Sequence, residues 1–425
     1  MRLLNSTIWN AVAVSVKMLT LLGINKVLAI YVGPSGYAVI GQFQNIISTC
    51  LVAANAGITG GVVKYTAEYE TSPELRLRIW RTALVFSFIS TMFVSLFVFL
   101  LSDYLAKEYL MDESFGMILR WFSIFLFFIV FNNIFMAIIN GHKNIQDYVK
   151  ISILSSLFSM IYTSILVYFF SLSGALLALI SNQAIIFLLA FYVGKKKGYF
   201  SLKQLLGFGD FSSLKKLSKF SLMILMPSII WPITYTYVRQ LLVQDLGTDF
   251  AGGWDAMQKL SNIYLSFLTT VISVYALPKI SSLTSMNQVA REVINIYKLI
   301  IPAALVLCGS IFYFRREIID VLFTDEFYIM LELFKWQVAG DYLKILAWVL
   351  SYTIMARAMV YKFLFIEFSS IAFYVIIVSF CIPEFGFEGV SIAHFINNFI
   401  FLALAVLVFF SSHICDKNKN KNKID

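Results

Sequence analysis

Five basic side chains stand inside stretches that are otherwise almost wholly apolar: Lys17, Lys26, Arg120, Lys259 and Lys344. Acids in those stretches are fewer, chiefly Asp341 and Glu367, with Asp255 at the start of its run. A charge near the middle of a bilayer costs at least ~2.5–3.5 kcal/mol, so such residues face protein or water and point to function. On a helical wheel at ~100° per residue, Asp255, Lys259, Asn262, Ser266 and Ser273 fall within about 60° of one another. Gln44, Ser48, Asn55 and Thr59 fall within about 60°, and Asp341, Lys344, Trp348 and Tyr352 share a face by the same arithmetic. More bases than acids on such faces suits an anionic cargo, held by charge-assisted bonds to phosphate or carboxylate. For the serines and asparagines alone, hydrogen-bonded packing between helices is the competing reading. Asp255 and Lys259 form an i,i+4 pair that partly neutralises itself. Lys26, Arg120 and Arg239 have two readings, lining a cavity or snorkelling to the interface. His394 reads as a proton site or as a packing histidine.

The elements that hold these residues are long helices. Of 425 residues, 60% are hydrophobic and 13% charged. That is about half the charge a soluble surface of this length carries. Apolar runs of about twenty residues recur, the length a helix needs to cross ~30 Å of hydrocarbon. Runs such as Ile124 to Phe131 do not alternate, which excludes barrel strands. The expectation is an all-α polytopic membrane protein with about twelve spans. They lie near 7–30, 38–63, 82–101, 118–139, 149–170, 174–193, 220–238, 257–277, 295–314, 336–356, 363–382 and 390–410. With the N-terminus inside, 23 of the 33 Lys and Arg fall in segments facing the cytoplasm and five in the opposite ones. That split follows the positive-inside rule and places both termini in the cytoplasm. The net charge of +9 is therefore topogenic, and no nucleic-acid module accompanies it. Four cysteines without paired spacing and three scattered histidines give neither a disulfide framework nor a metal site. Lys17 and Lys26 interrupt the first apolar stretch, which is therefore read as a retained helix.

The two halves repeat. Gly33 is matched by Gly247, Gln44 by Gln258, Gly174 by Gly389 and Asn182 by Asn397, at offsets of 214 or 215 residues. Both halves begin on the same side, so the repeat is parallel, with a pseudo-two-fold axis along the membrane normal. The expected organisation is a six-helix lobe over 1–194, a cytoplasmic linker over 195–219, a second six-helix lobe over 220–412 and a basic tail over 413–425. The lysine–asparagine alternation of the tail reads as unstructured.

Several stretches resemble one family. They are Lys26-Val-Leu-Ala with Val32-Gly-Pro-Ser-Gly36, Gly57 with Lys64-Tyr-Thr-Ala-Glu-Tyr69, and Leu217-Ser-Lys-Phe220 through Pro232 and Arg239. Later come Ser273-Val-Tyr-Ala-Leu-Pro278, Arg291-Glu-Val293 and Trp336-Gln-Val-Ala-Gly-Asp341-Tyr-Leu-Lys344, the most specific of them. Over essentially its whole length the chain resembles the Wzx-type flippases of lipid-linked oligosaccharides. These lie within the multidrug/oligosaccharidyl-lipid/polysaccharide exporter superfamily and include O-antigen and enterobacterial common antigen (lipid III) translocases. The resemblance implies a cargo of oligosaccharide on undecaprenyl pyrophosphate, moved to the periplasmic leaflet of the bacterial inner membrane by alternating access. It implies that Lys17, Lys26, Lys259, Lys344 and Arg239 meet the pyrophosphate. Gln44, Asn45, Ser48, Asn55, Asn262 and Ser266 then line the cavity for the sugars. Asp255, Asp341 and Glu367 are candidates for H⁺ or Na⁺ coupling, with a structural role equally open. No phosphate-binding loop of the Gly-x4-Gly-Lys-Ser/Thr type is present, which disfavours ATP hydrolysis. No resident cofactor is expected, and the protein is read as a monomer working beside a polymerase and a chain-length regulator. The rival readings are a multidrug cation antiporter, which suits an acid-rich cavity, and a membrane glycan polymerase or glycosyltransferase, which suits a long outer loop or an acidic cluster.

Overall fold

The computed structural model describes residues 2–421 except 56, 143–144, 202–204, 206, 208, 282, 284 and 358. The described residues form helices and no strands. They are α1 (Arg2–Asn55), α2 (Ile58–Glu68), α3 (Pro73–Leu100), α4 (Ser102–Leu110), α5 (Gly116–Gly141), α6 (Ile145–Lys196), α7 (Phe211–Asp245), α8 (Thr248–Ser281), α9 (Met286–Tyr313), α10 (Arg315–Leu322), α11 (Leu331–Ala356), α12 (Val360–Phe385) and α13 (Phe387–Lys421). Seven of them contain stretches long and apolar enough to cross a membrane. Two of the seven, α1 and α6, break once, at Gly33 and Ser171, and each consists of two helical stretches. The long helices outside the seven are α7, α8 and α11, whose polar cargo lowers their hydropathy: Arg239, Asp255 with Lys259, and Asp341 with Lys344. The protein is an all-α polytopic membrane protein.

Contacts divide the chain into two compact units, Met1–Ile233 and Thr234–Asp425. In the first, α1 and α5 pack against α6, with α3 and α2 against α5. In the second, α11 and α12 pack against α13, with α8 and α9 against α11. Within 195–219, expected as a linker, Tyr199, Phe200 and Asp210 make contacts to helices of the first unit. Tyr199 Oη donates to Asp147 Oδ2 at 2.6 Å, the Phe200 ring stacks on Phe135 at 4.7 Å, and the Asp210 backbone N–H donates to Thr82 Oγ1 at 2.9 Å. Asp210 also caps α7. Bonds from the Ser212 and Ser213 hydroxyls and N–H groups favour its charged form and hold its carboxyl at about 2.

The repeat read from the sequence reappears as matched backbone geometry. Gly33 and Gly247 both have positive φ, 68° and 106°. At Gly33 the chain turns before Pro34, which opens the next helical stretch where its missing N–H costs nothing. Ser171 (φ 47°) and Gly386 (φ 59°) stand 215 residues apart and make the same break between antiparallel helices. Three residues beyond each lies a glycine whose side is closed by backbone. A Cβ on Gly174 would sit 2.0 Å from the Leu166 carbonyl oxygen, and one on Gly389 2.1 Å from that of Cys381. Leu166 and Cys381 are themselves 215 residues apart. The short amphipathic α4 and α10, each followed by a 3-10 turn (Glu113–Phe115 and Asp325–Met330), occupy corresponding places as well.

Two local expectations differ from the structure. The second predicted span, 38–63, is interrupted at Gly57, whose φ of 66° starts α2 as a separate helix. Its counterpart α8 runs unbroken from Thr248 to Ser281. The basic tail, expected to be unstructured, continues α13 as helix to Lys421, while residues 422–425 lie outside the described residues. Adding turns to a formed helix avoids the nucleation cost, which composition alone does not reveal.

Ser171 has a conformation that an L side chain tolerates poorly, and its counterpart is glycine. Ser171→Gly is expected to stabilise the protein by about 1 kcal/mol, read as a higher melting temperature in detergent. A melting temperature that falls would show that the serine side chain contributes more than its strain costs.

Candidate functional site

Helix α8 carries polar residues on two faces. At ~100° per residue Tyr264 lies about 180° from Asp255, with Gln258 and Ser261 in between. The Gln258–Ser261–Tyr264 face is buried against α11. There Gln258 Nε2 donates to Gln337 Oε1, and Gln337 Nε2 to Ser261 Oγ, both at 3.3 Å. Ser261 Oγ meets Tyr264 Oη at 3.3 Å, and Tyr264 Oη donates to Asp341 Oδ2. Every donor in this chain points one way and the last acceptor is a carboxylate, so each bond polarises the next. Asp341 is fully buried, and its other oxygen meets His394 Nε2 on α13 at 2.9 Å. Asn398 Nδ2, one turn further along α13, lies 3.1 Å from the same nitrogen and donates to the His394 carbonyl at 2.8 Å. Close helix approach makes this possible: a Cβ on Gly340 would meet His394 Cδ2 at 2.6 Å.

The opposite face of α8 is less enclosed. Asp255 is buried, Lys259 and Ser266 are half-buried and Asn262 is exposed. The Ser273 side chain lies outside the described residues. Asp255 is bound by Arg239 of α7, with Nε donating to Oδ2 at 2.6 Å and an Nη to Oδ1, while the guanidinium lies 5.8 Å from the centre of the Trp254 ring. Arg239 is 3% exposed, so it does not snorkel, and its planar fork is occupied by a carboxylate. Lys344 on α11 is half-buried, with its ammonium 5.2 Å from the centre of the Trp348 ring. Glu367 is half-buried on α12.

In the first unit, Lys17 is exposed and Lys26 half-buried on the stretch of α1 before its bend. Gln44 and Asn45 are half-buried and Ser48 is exposed on the stretch after it. Asn55 is buried and its Oδ1 has no hydrogen-bond partner among the described residues. Arg120 is exposed and binds Ser102 and Asp103 of α4, which fixes the short helix to α5. An ion pair this open contributes about 0–1 kcal/mol.

The structure thus brings Arg239 to Asp255 and Asp341 to His394, and it adds Gln258, Ser261, Tyr264, Gln337 and Asn398, none of which a search for lone charges selects. A spacing signal was present for these residues. Gln258, Ser261 and Tyr264 recur every three residues, and Gln337 with Asp341 and His394 with Asn398 are i,i+4 pairs on single faces.

The polysaccharide biosynthesis protein family matches residues 3–284, about two-thirds of the chain. The chain belongs to that family. Among curated relatives, the chain is 29% identical over 411 residues to a lipid III flippase of Escherichia coli (strain K12), covering 96% of this chain and 98% of the relative. A lipid III flippase of Shigella flexneri matches to the same extent. Among solved structures, the fold is shared with an inward-facing multidrug resistance MATE family transporter of the MOP superfamily, with a TM-score of 0.78 and 15% identity over 95% of this chain and 96% of that one. An outward-facing structure of a MATE family transporter matches with a TM-score of 0.67 and 15% identity over 96% of each chain. The family match takes in Arg239, Asp255, Gln258, Ser261 and Tyr264 and ends before Gln337, Asp341, Lys344 and His394.

Proposed function

We propose that this protein is a flippase that carries an undecaprenyl-pyrophosphate-linked oligosaccharide from the cytoplasmic to the periplasmic leaflet of the bacterial inner membrane by alternating access. The observation that carries the reading is the end-to-end similarity to lipid III flippases, 96% of this chain against 98% of theirs, on a helical fold shared with membrane transporters. The surplus of bases over acids among the apolar runs supports an anionic cargo rather than the cationic drugs of the rival reading. In this proposal Lys17, Lys26, Lys259 and Lys344 meet the pyrophosphate. Gln44, Asn45, Ser48, Asn55, Asn262 and Ser266 hydrogen-bond the sugars. Arg239, committed to Asp255, anchors the start of α8 and so positions Lys259 one turn further on. The helices form six-helix lobes over 1–194 and 220–412, both termini face the cytoplasm, and the polymerase and chain-length regulator of the same pathway receive the product.

The test is complementation of a flippase-deficient strain supplied with one undecaprenyl-linked glycan pathway, with glycan at the periplasmic face as the readout. Restored export that falls about 100-fold when Lys17, Lys259 and Lys344 are made glutamine together is the expected result, each lysine contributing about 1 kcal/mol or more to phosphate binding. Undiminished export by a well-expressed triple variant removes the lysines from the mechanism. Export of none of several glycans, together with efflux of cationic dyes, favours the multidrug reading instead.

A further inference from the structure

His394 has two partners for one nitrogen, and the two require opposite things of it. Asp341 Oδ1, 2.9 Å from Nε2, is a carboxylate oxygen and accepts, so it needs Nε2 to carry a proton. Asn398 Nδ2, 3.1 Å from the same Nε2, donates, so it needs Nε2 bare. The Asn398 amide cannot be turned round to remove the conflict, because its Nδ2 also donates to the His394 carbonyl at 2.8 Å, and an oxygen there would face an oxygen. Each of the two states of Nε2 therefore finds a built partner in a site where His394 is 6% exposed, Asn398 4% and Asp341 0%.

We propose that His394 is a proton carrier whose Nε2 switches between Asn398 and Asp341, and that proton binding there drives the transport cycle; the second half of this rests on the flippase reading. In the proton-free state the neutral imidazole keeps its hydrogen on Nδ1, and Nε2 accepts from Asn398. When a proton arrives from hydronium, one O–H bond breaks and the Nε2–H bond forms, leaving water and an imidazolium that donates to Asp341. No other reactant is needed. Uptake exchanges a bond within α13 for a charge-assisted bond between α13 and α11, so the proton changes how tightly these two helices are held. The donor chain through Tyr264 extends the effect to α8, the helix that also bears Lys259.

The surrounding groups fit this role. Tyr264 of α8 steadies Asp341 by donating to its other oxygen. Lys344 of α11 and Cys308 of α9 lie within electrostatic range of Asp341. On α12, which packs against α13, the titratable groups along this stretch are Glu367 and Tyr374, and Ser370 donates to Asn397 at 3.3 Å. Asp255 is a poorer carrier, because protonating it would break two bonds from a permanently charged guanidinium.

The chain has only three histidines, His142, His394 and His413, so ring-nitrogen NMR resolves His394 directly. The full-length protein in lipid bilayers, ¹⁵N-labelled on histidine, is titrated from about pH 5 to about pH 9. His142→Asn and His413→Asn assign the remaining signal and leave the site intact. The expected result is one residue whose Nε2 passes from an acceptor to a donor signature, with the donor signature lost in Asp341→Asn. A single Nε2 signature across the whole range overturns the proposal. In proteoliposomes loaded with an undecaprenyl-pyrophosphate trisaccharide, an imposed pH gradient is expected to change the flipping rate about 5-fold or more, with that response absent in His394→Gln. Flipping that ignores the gradient in the unsubstituted protein overturns the coupling. A His394 switch in a protein that flips no glycan leaves the proton carrier standing and overturns the cargo reading alone.

Discussion

Asp255→Ala is expected to destabilise the second unit by about 3–5 kcal/mol and Arg239→Ala by a similar amount, whereas Arg239→Met with Asp255→Leu is expected to cost clearly less than either. The asymmetry follows from where the charges sit. The side chains are 4% and 7% exposed, so whichever partner remains after a single substitution keeps a charge that water barely reaches and that has lost its two-bond partner. Removing both leaves two apolar side chains of similar volume beside Trp254 and no stranded charge. Melting temperatures of the three variants in one detergent decide the matter. Additive single and double effects would mean that the pair is not electrostatically coupled, and that Arg239 is free to engage cargo directly.

Gly174→Ala and Gly389→Ala are expected to be the most damaging single-methyl additions in the chain, at about 3 kcal/mol or more each. In both a Cβ would fall about 2 Å from a carbonyl oxygen of the preceding helix, which is backbone and cannot rotate aside as a side chain can. The helices on either side of the turn must move apart, and α6 or the α12–α13 pair loses its closest approach. Alanine at Gly309, where a Cβ would meet nothing within 4 Å, is the control and is expected to melt like the unsubstituted protein. If the three alanines behave alike, the turns are looser than the structure has them.

The helical architecture was legible because a bilayer imposes length and hydropathy on every span, and the expected spans fall on helices, with 38–63 divided at Gly57 between two of them. The repeat was legible at its glycines, because a backbone that comes this close tolerates no other residue in either copy. Ser171 was not, since serine announces no turn even though it adopts one. The candidate site was half legible. Charges within apolar runs pointed to Asp255, Lys259, Asp341 and Lys344. They gave no sign that Arg239 closes on Asp255 or that His394 closes on Asp341, since those contacts join helices 16 and 53 residues apart in sequence. Tyr264 and Gln337 were passed over because neither carries a charge, and their importance lies in the direction of their hydrogen bonds.

The two faces of α8 have a further consequence for how such a protein changes over generations. One face is locked by a file of hydrogen bonds in which each residue needs the next, so a substitution there is tolerated only together with a compensating one. The other face carries Asn262, exposed and bound by no such file. Drift and selection can therefore explore Asn262 by itself, while Asp255, tied to Arg239, and the opposite face of the same helix keep the unit folded. On the flippase proposal, a lineage acquires a new sugar preference in this way without rebuilding the machinery that moves it.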